Sequence, residues 1–241
     1  EMKYKPYLDA RFFFSTSPLP CPYLPGRMER RVVTELIGRN AADLHDKLSD
    51  GGFRRSHSIA YAPACPTCDA CIAVRVLAQE FRASRSQRRV SNKNRDLIVE
   101  EAPAVATNEQ FALFSAYQQS RHGDGDMSRM DFFDYLALIE DTPVETMLVE
   151  FRNARGVLVG ACLTDRMENG LSAVYSFYDP DNTERSIGNF MILWLIEKAR
   201  ELDLPYVYLG FWIKDCTKMS YKSRFSPMEI KKPEGWELLG G

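Results

Sequence analysis

The tightest constraint on the fold is one apolar run, Phe190-Met191-Ile192-Leu193-Trp194-Leu195-Ile196, inside residues 188–202. A helix built on that run has no polar stripe to offer water, so it must be wrapped by other elements. The neighbouring segments can supply the wrapping. Apolar runs at 145–151, 156–164 and 171–178 are separated by the polar, glycine-containing turns Asn153-Ala154-Arg155-Gly156 and Arg166-Met167-Glu168-Asn169-Gly170. That pattern predicts a meander of three antiparallel strands. Leu204-Pro205 then leads into a further strand over 206–213. Ahead of the meander, Phe111, Phe114 and Tyr117, and later Phe132, Tyr135, Leu136 and Ile139, recur at helical spacing. They predict two amphipathic helices, at 109–120 and 131–140.

Two helices, three antiparallel strands, a buried helix and another strand is the order found in acetyltransferase-like (GNAT) domains. In that fold the strands flanking the long helix splay apart and leave backbone groups free to hold an extended donor. The expected class is α+β: a small N-terminal α+β lobe over 1–103, rich in Cys and Arg, followed by a GNAT-like domain over 104–241. Within the lobe, the proline-broken run 17–26 excludes a helix. A short helix is expected at 41–48, stopped by Gly51-Gly52. Two strands are expected at 53–61 and 71–78, with the cysteine run as the turn between them.

With 241 residues and 45 % hydrophobic content the chain can bury ample cores without staples. No apolar stretch is long enough to span a membrane, and the opening segment is charged and proline-broken, which points to the cytoplasm. The formal net charge of −2 excludes a protein that is basic all over, so nucleic acid must meet local patches. One such patch is clear. Residues 81–95 hold Arg82, Arg85, Arg88, Arg89, Lys93 and Arg95 and no acid. On a helix Arg85, Arg88 and Arg89 share a face, with Arg82 a turn earlier, and such a cluster suits RNA phosphates. Lys214, Lys218, Lys222, Arg224, Lys231 and Lys232 form a second basic stretch.

The strings Cys21-Pro22-Tyr23-Leu24-Pro25, Gly52-Phe53-Arg54-Arg55-Ser56, Tyr61-Ala62-Pro63-Ala64-Cys65-Pro66-Thr67-Cys68-Asp69-Ala70-Cys71 and Ser84-Arg85-Ser86-Gln87-Arg88-Arg89 resemble the bacterial aspartate/glutamate leucyltransferase family. So do Tyr175-Ser176-Phe177-Tyr178-Asp179-Pro180, Ser186-Ile187-Gly188, Tyr208-Leu209-Gly210-Phe211-Trp212-Ile213, and Cys216-Thr217-Lys218-Met219-Ser220-Tyr221-Lys222 with Arg224-Phe225-Ser226-Pro227. The resemblance runs in order over nearly the whole chain. It implies transfer of leucine from Leu-tRNA, as co-substrate, to proteins with N-terminal Asp or Glu, marking them for degradation. Eukaryotic arginyltransferases are related; they carry a second cysteine where this chain has Leu24.

The chemistry implied is attack by an α-amine on the ester that joins the amino acid to the terminal ribose. That amine has a reference pKa of about 8 and must lose its proton first. The ester is already activated, so no cofactor is required. Asp179, at the end of the strand bordering the donor cleft, is the base candidate, with a turn-forming Asp as the alternative. Tyr178 and Ser176 share one face of that strand and either orient the ester or pack. Arg185, Ser186, Gly188 and Asn189 enter the long helix with a single glycine; they suit the phosphate and ribose of a CCA end, or form an ordinary capped helix start. An acidic acceptor calls for a cation. Arg54, Arg55, Arg75, Lys222 and Arg224 are the choices, Arg75 and Lys222 being favoured, with Tyr221 beside Lys222. Cys65, Cys68 and Cys71 have metal-ligand spacing and Cys21 could complete a zinc or iron–sulfur site; free thiols in a tight turn are the alternative. Rival readings are transfer of arginine from Arg-tRNA, a coenzyme A-dependent N-acetyltransferase, and a nucleic-acid-binding module. Nothing in the sequence fixes an oligomeric state.

Overall fold

The computed structural model describes residues 11–240. Four elements build a small antiparallel sheet in the order β1-β4-β6-β5: β1 is Phe13–Ser15, β4 Arg31–Glu35, β5 Arg54–Ser56 and β6 Ile59–Pro63. Helix α1, Ala41–Asp50, packs on it, and β2 (Leu19–Pro20) pairs with β3 (Met28–Glu29) alongside. A larger sheet has the order β14-β13-β7-β12-β11-β10-β9-β8. Its strands are β7 (Ile72–Leu77), β8 (Ile98–Pro103), β9 (Thr146–Arg152), β10 (Leu158–Arg166), β11 (Gly170–Tyr178), β12 (Tyr206–Trp212), β13 (Met228–Lys232) and β14 (Gly235–Leu238). Helices α2 (Arg85–Lys93), α3 (Asn108–His122), α4 (Phe132–Glu140) and α5 (Ile187–Glu201) complete the fold.

Helix starts follow from local chemistry. Ser84 and Gln87, Thr107 and Gln110, and Asp131 and Asp134 each form a reciprocal capping box, the side chain of one bonding the backbone N–H of the other. Helix α1 runs to Asp50 and stops as expected at Gly51-Gly52, where Gly52 takes φ +95°. Helix α5 buries Met191, Ile192, Leu193, Leu195, Ile196 and Ala199, and Phe151 sets its ring edge-on against Phe190 and Trp194. On the opposite face α3 and α4 enclose Phe114, Tyr135, Leu148, Leu163 and Phe177. The large sheet is therefore covered on both sides, which is why its strands read as apolar runs.

Strands β11 and β12 pair in parallel only over Gly170–Tyr206, Leu171–Val207 and Ser172–Tyr208. Beyond that point they part, as the acetyltransferase-like order requires.

The N-terminal region departs from the expected hairpin. Residues 53–61 hold two short strands joined at His57, which adopts φ +53°. Strands β6 and β7 do not pair; β7 enters the large sheet between β12 and β13. Its Val74, Arg75 and Val76 are buried, as a central strand demands. The cysteine segment is thus the link between two sheets, and the large sheet takes strands from both sides of residue 103. Strands β4, β8, β13 and β14 were not expected, because short segments carrying Arg, Glu and Lys lack a clean apolar alternation. No helix among the described residues is long and apolar enough to cross a membrane.

Candidate active site

A cavity of about 90 Å³ opens where the cysteine segment, β5, β6 and the 3₁₀ turn Thr217–Arg224 meet the splay of the large sheet. Tyr23, Arg54, Tyr61, Cys71, Phe211 and Lys222 are among its walls. Arg54 reaches from β5 into the gap between β11 and β12. Its Nη2 donates to the carbonyl oxygens of Ala173 and, at 3.1 Å, Val174. Gly210 makes this possible: it has φ +76°, and a Cβ there would lie 1.8 Å from Arg54 Nη1. Lys222 is buried, and its Nζ donates to the carbonyl of Phe211 at 2.6 Å. Burial first, and the nearby Arg54 charge second, push the Lys222 ammonium down to about 7.

Outside the cavity walls, a second group of tyrosines gathers toward α5. Tyr117 packs on Tyr178 with ring centroids 5.0 Å apart, and the Arg121 guanidinium stands 5.1 Å from the Tyr178 ring. Burial raises the Tyr221 hydroxyl, with Tyr178 adding to the effect. Gly188 at the start of α5 lies against Tyr178; a Cβ there would be 3.1 Å from its ring. Ser176 Oγ donates to Cys162 Sγ at 3.4 Å. Gln118 Nε2 donates to the Tyr175 hydroxyl, while Gln118 Oε1 is buried without a partner among the described residues.

The other expected site residues disperse. Asp179 Oδ1 accepts from the Asp181 N–H at 3.0 Å, the turn role, and stands outside the cavity walls. Arg75 is consumed by structure: Nε donates to Glu229 at 2.7 Å, Nη1 to Asp50 and the Tyr208 hydroxyl at 3.2 Å, and its plane lies 3.6 Å from the Tyr206 ring and 4.0 Å from that of Trp236. Arg55 is buried with Asp165, bonded through Nε at 2.6 Å and Nη2 at 2.8 Å. Arg224 is exposed, and its carbonyl accepts from Gln87 on α2. Arg54, among the five cations considered, is the one the fold brings to the cavity beside Lys222. The mid-strand glycine at 210 was the signal for it.

The basic run does form a helix from residue 85, with Arg85, Arg88, Arg89 and Lys93 exposed. Arg82 precedes the N-cap Ser84 and instead donates to the carbonyl of Phe81; it and Arg95 are exposed on either side of the helix. The helix lies against the entry to α5. Lys93 Nζ donates to the carbonyl of Glu184, and Asn94 Nδ2 to that of Arg185. Arg185 makes a bidentate pair with Asp96, both bonds 2.7 Å. Ser186, at φ +52°, caps α5 without a side-chain bond, and half-buried Asn189 follows in the first turn.

Family models described as the N terminus and the C terminus of arginine-tRNA-protein transferase match residues 19–89 and 109–232. An aspartate/glutamate leucyltransferase of Paramagnetospirillum magneticum is 54 % identical over 98 % of this chain and 97 % of its own length. This chain belongs to the aspartate/glutamate leucyltransferase family. A relative of the same name in Granulibacter bethesdensis is 52 % identical over 98 % of this chain and 88 % of its own. The solved structure of L-PGS from Bacillus licheniformis superposes with a TM-score of 0.52 at 14 % identity, covering 81 % of this chain and 64 % of that one, and shares the fold. As a member of this family the chain is an aminoacyltransferase with aminoacyl-tRNA as co-substrate.

Within this leucyltransferase-family chain Cys21, Cys65, Cys68 and Cys71 border one cavity, yet no group of three or more His, Cys, Asp or Glu among the described residues is arranged to hold a metal ion. Three of the four thiols face a partner of their own. Cys21 Sγ accepts from the Leu24 N–H and Cys68 Sγ from Arg27, while Cys65 donates to the Arg30 carbonyl. Burial first, and the neighbouring thiols second, push Cys71 up to about 11. The side chains as placed do not fit the expected zinc or iron–sulfur centre, and no step below runs through one.

Proposed function

We propose that this chain transfers leucine from Leu-tRNA to the N-terminal α-amine of proteins that begin with Asp or Glu, acting in the cytoplasm and marking those proteins for degradation. The observation that carries the reading is the docking of a one-signed basic helix, α2, against the entry to α5 at the open end of the β11/β12 splay. In that arrangement RNA phosphates lie along Arg85, Arg88, Arg89 and Lys93, and the aminoacylated end enters past Arg185, Ser186, Gly188 and Asn189 toward Tyr178.

The reaction needs little more than position. The neutral acceptor amine attacks the ester carbonyl carbon, the amide C–N bond forms, and the ester C–O bond breaks with its electron pair going to the ribose oxygen. The amine's proton ends on that oxygen. Holding two reactants together in a water-poor cleft supplies most of the acceleration. A coenzyme A donor is disfavoured, because the carbonyls of Ala173 and Val174 on the splayed strand already accept from Arg54.

Incubating the protein with separately charged Leu-tRNA and Arg-tRNA, and with peptides beginning with Asp or Ala, tests the reading by peptide mass. Leucine should appear on the Asp peptide alone. Equal modification of both peptides, or transfer from Arg-tRNA only, rejects it. Arg85, Arg88 and Arg89 changed together to Gln should flatten the dependence of log affinity on log salt by about 2 to 3 in slope.

A further inference from the structure

Three arginines of the N-terminal region extend into the large sheet, and two arrive with a carboxylate. Arg55 meets Asp165, and Arg75 meets Glu229 and Asp50. Arg54 does not. Among the described residues no carboxylate lies within ion-pair distance of it, and its Nη1 and Nε have no hydrogen-bond acceptor. Lys222 shares the same cavity and has only the Phe211 carbonyl for its three N–H groups. Glu29, the carboxylate on the cavity wall, is taken by Arg31 at 3.5 Å.

With backbone carbonyls as their hydrogen-bond partners and no anion beside them, Arg54 and Lys222 are costly to hold charged at this site. A ligand that carries the missing charge would remove that cost on binding. We infer that Arg54 and Lys222 are the specificity-determining pair that receives the side-chain carboxylate of the acceptor's first residue. This assignment rests on the acceptor reading above. The free edge of the Arg54 fork and the Lys222 ammonium grip the carboxylate, and an apolar first residue leaves both unmatched.

The pairing has a proton signature. Lys222 faces Arg54 from β5, Cys71 ahead of β7 and Cys216 ahead of its own turn, with Tyr23 and Tyr61 across the cavity. Cys71 titrates at about 11 and Tyr23 above its ordinary value, so both stay protonated near neutral pH. Lys222, at about 7, is mostly neutral at about pH 7.5. An arriving carboxylate favours its charged form, so binding takes up protons at this pH.

A peptide capped with succinate reproduces an Asp start without the α-amine, and a butyryl cap removes the carboxylate as well. Titration calorimetry of each in two buffers of different ionisation enthalpy counts the protons. The succinyl peptide should bind with proton uptake to the unaltered protein and with none to Lys222→Met; the butyryl peptide should take up none. In steady state Lys222→Met, Arg54→Gln and the charge-keeping Arg54→Lys should each raise KM for the Asp-start peptide roughly tenfold or more and leave KM for Leu-tRNA unchanged. Melting curves identify any variant that does not fold. Unaltered discrimination between Asp and Ala starts in folded variants overturns the assignment. A rise confined to KM for Leu-tRNA also overturns it, giving the cations to an RNA phosphate. If no peptide is leucylated but the succinyl peptide still binds with proton uptake, the transfer reading fails while the carboxylate site stands.

Discussion

The two sheets of this molecule are held by different forces. The large sheet lies between apolar clusters on both faces, one around α5 and one around Phe114 and Phe177. The small sheet encloses little more than Leu36, Ala41, Leu44 and Ala60, with Leu48 and Phe53 against them. It is tied to its neighbour by guanidinium groups: Arg55 buried on Asp165, which Thr146 also bonds at 2.8 Å, and Arg54 bonded to two β11 carbonyls. Apolar burial is non-directional, so the large sheet sets stability. Charge-assisted bonds are directional, so the small sheet sets geometry and contributes Arg31, Arg54, Tyr61 and Pro63 to the cavity wall.

Truncating Phe177 to Ala gives the largest expected effect. It is fully buried between Phe114 and Tyr135, and urea unfolding should lose about 3–5 kcal/mol. Arg55→Met should cost nearly as much, about 3–4 kcal/mol, because Asp165 is left charged and enclosed; adding Asp165→Leu should recover most of it. If Arg55→Met is harmless by itself, the small sheet is held by something other than its arginines. Gly210→Ala should cost about 1–3 kcal/mol through its φ of +76° and the collision with Arg54, while transfer activity falls further than stability does. A loss of stability with activity intact would separate Arg54 from the reaction. Asp179→Asn should be nearly silent, with activity changed by no more than about twofold, since an amide oxygen also accepts the Asp181 N–H. A fall in transfer rate of about a hundredfold or more in that variant, with folding intact, would make Asp179 the base.

Strands β9 to β12 of the large sheet and helix α5 were legible because they are long and apolar, whereas β8, β13 and β14 of the same sheet, short and charged, were not. The small sheet was harder to read. A positive φ at His57 breaks the expected strand in two, and the partner of β7 lies more than a hundred residues away, beyond what local pattern encodes. The site divides in the same way. That cations would line an acceptor pocket follows from the substrate's chemistry, and Lys222 was among those favoured. Which arginine does so depends on where β5 and β7 lie: Arg75 points to Glu229, Arg55 to Asp165, and Arg54 to the splay.

Strand β7 has a consequence for synthesis on the ribosome. It pairs with β12 and β13, both made long after it. At about 5–20 residues per second the nascent strand waits on the order of ten seconds for its first neighbour. Until then its Val74 and Val76 and both hydrogen-bonding edges stand open to other chains, which makes this segment the natural place for a chaperone to hold.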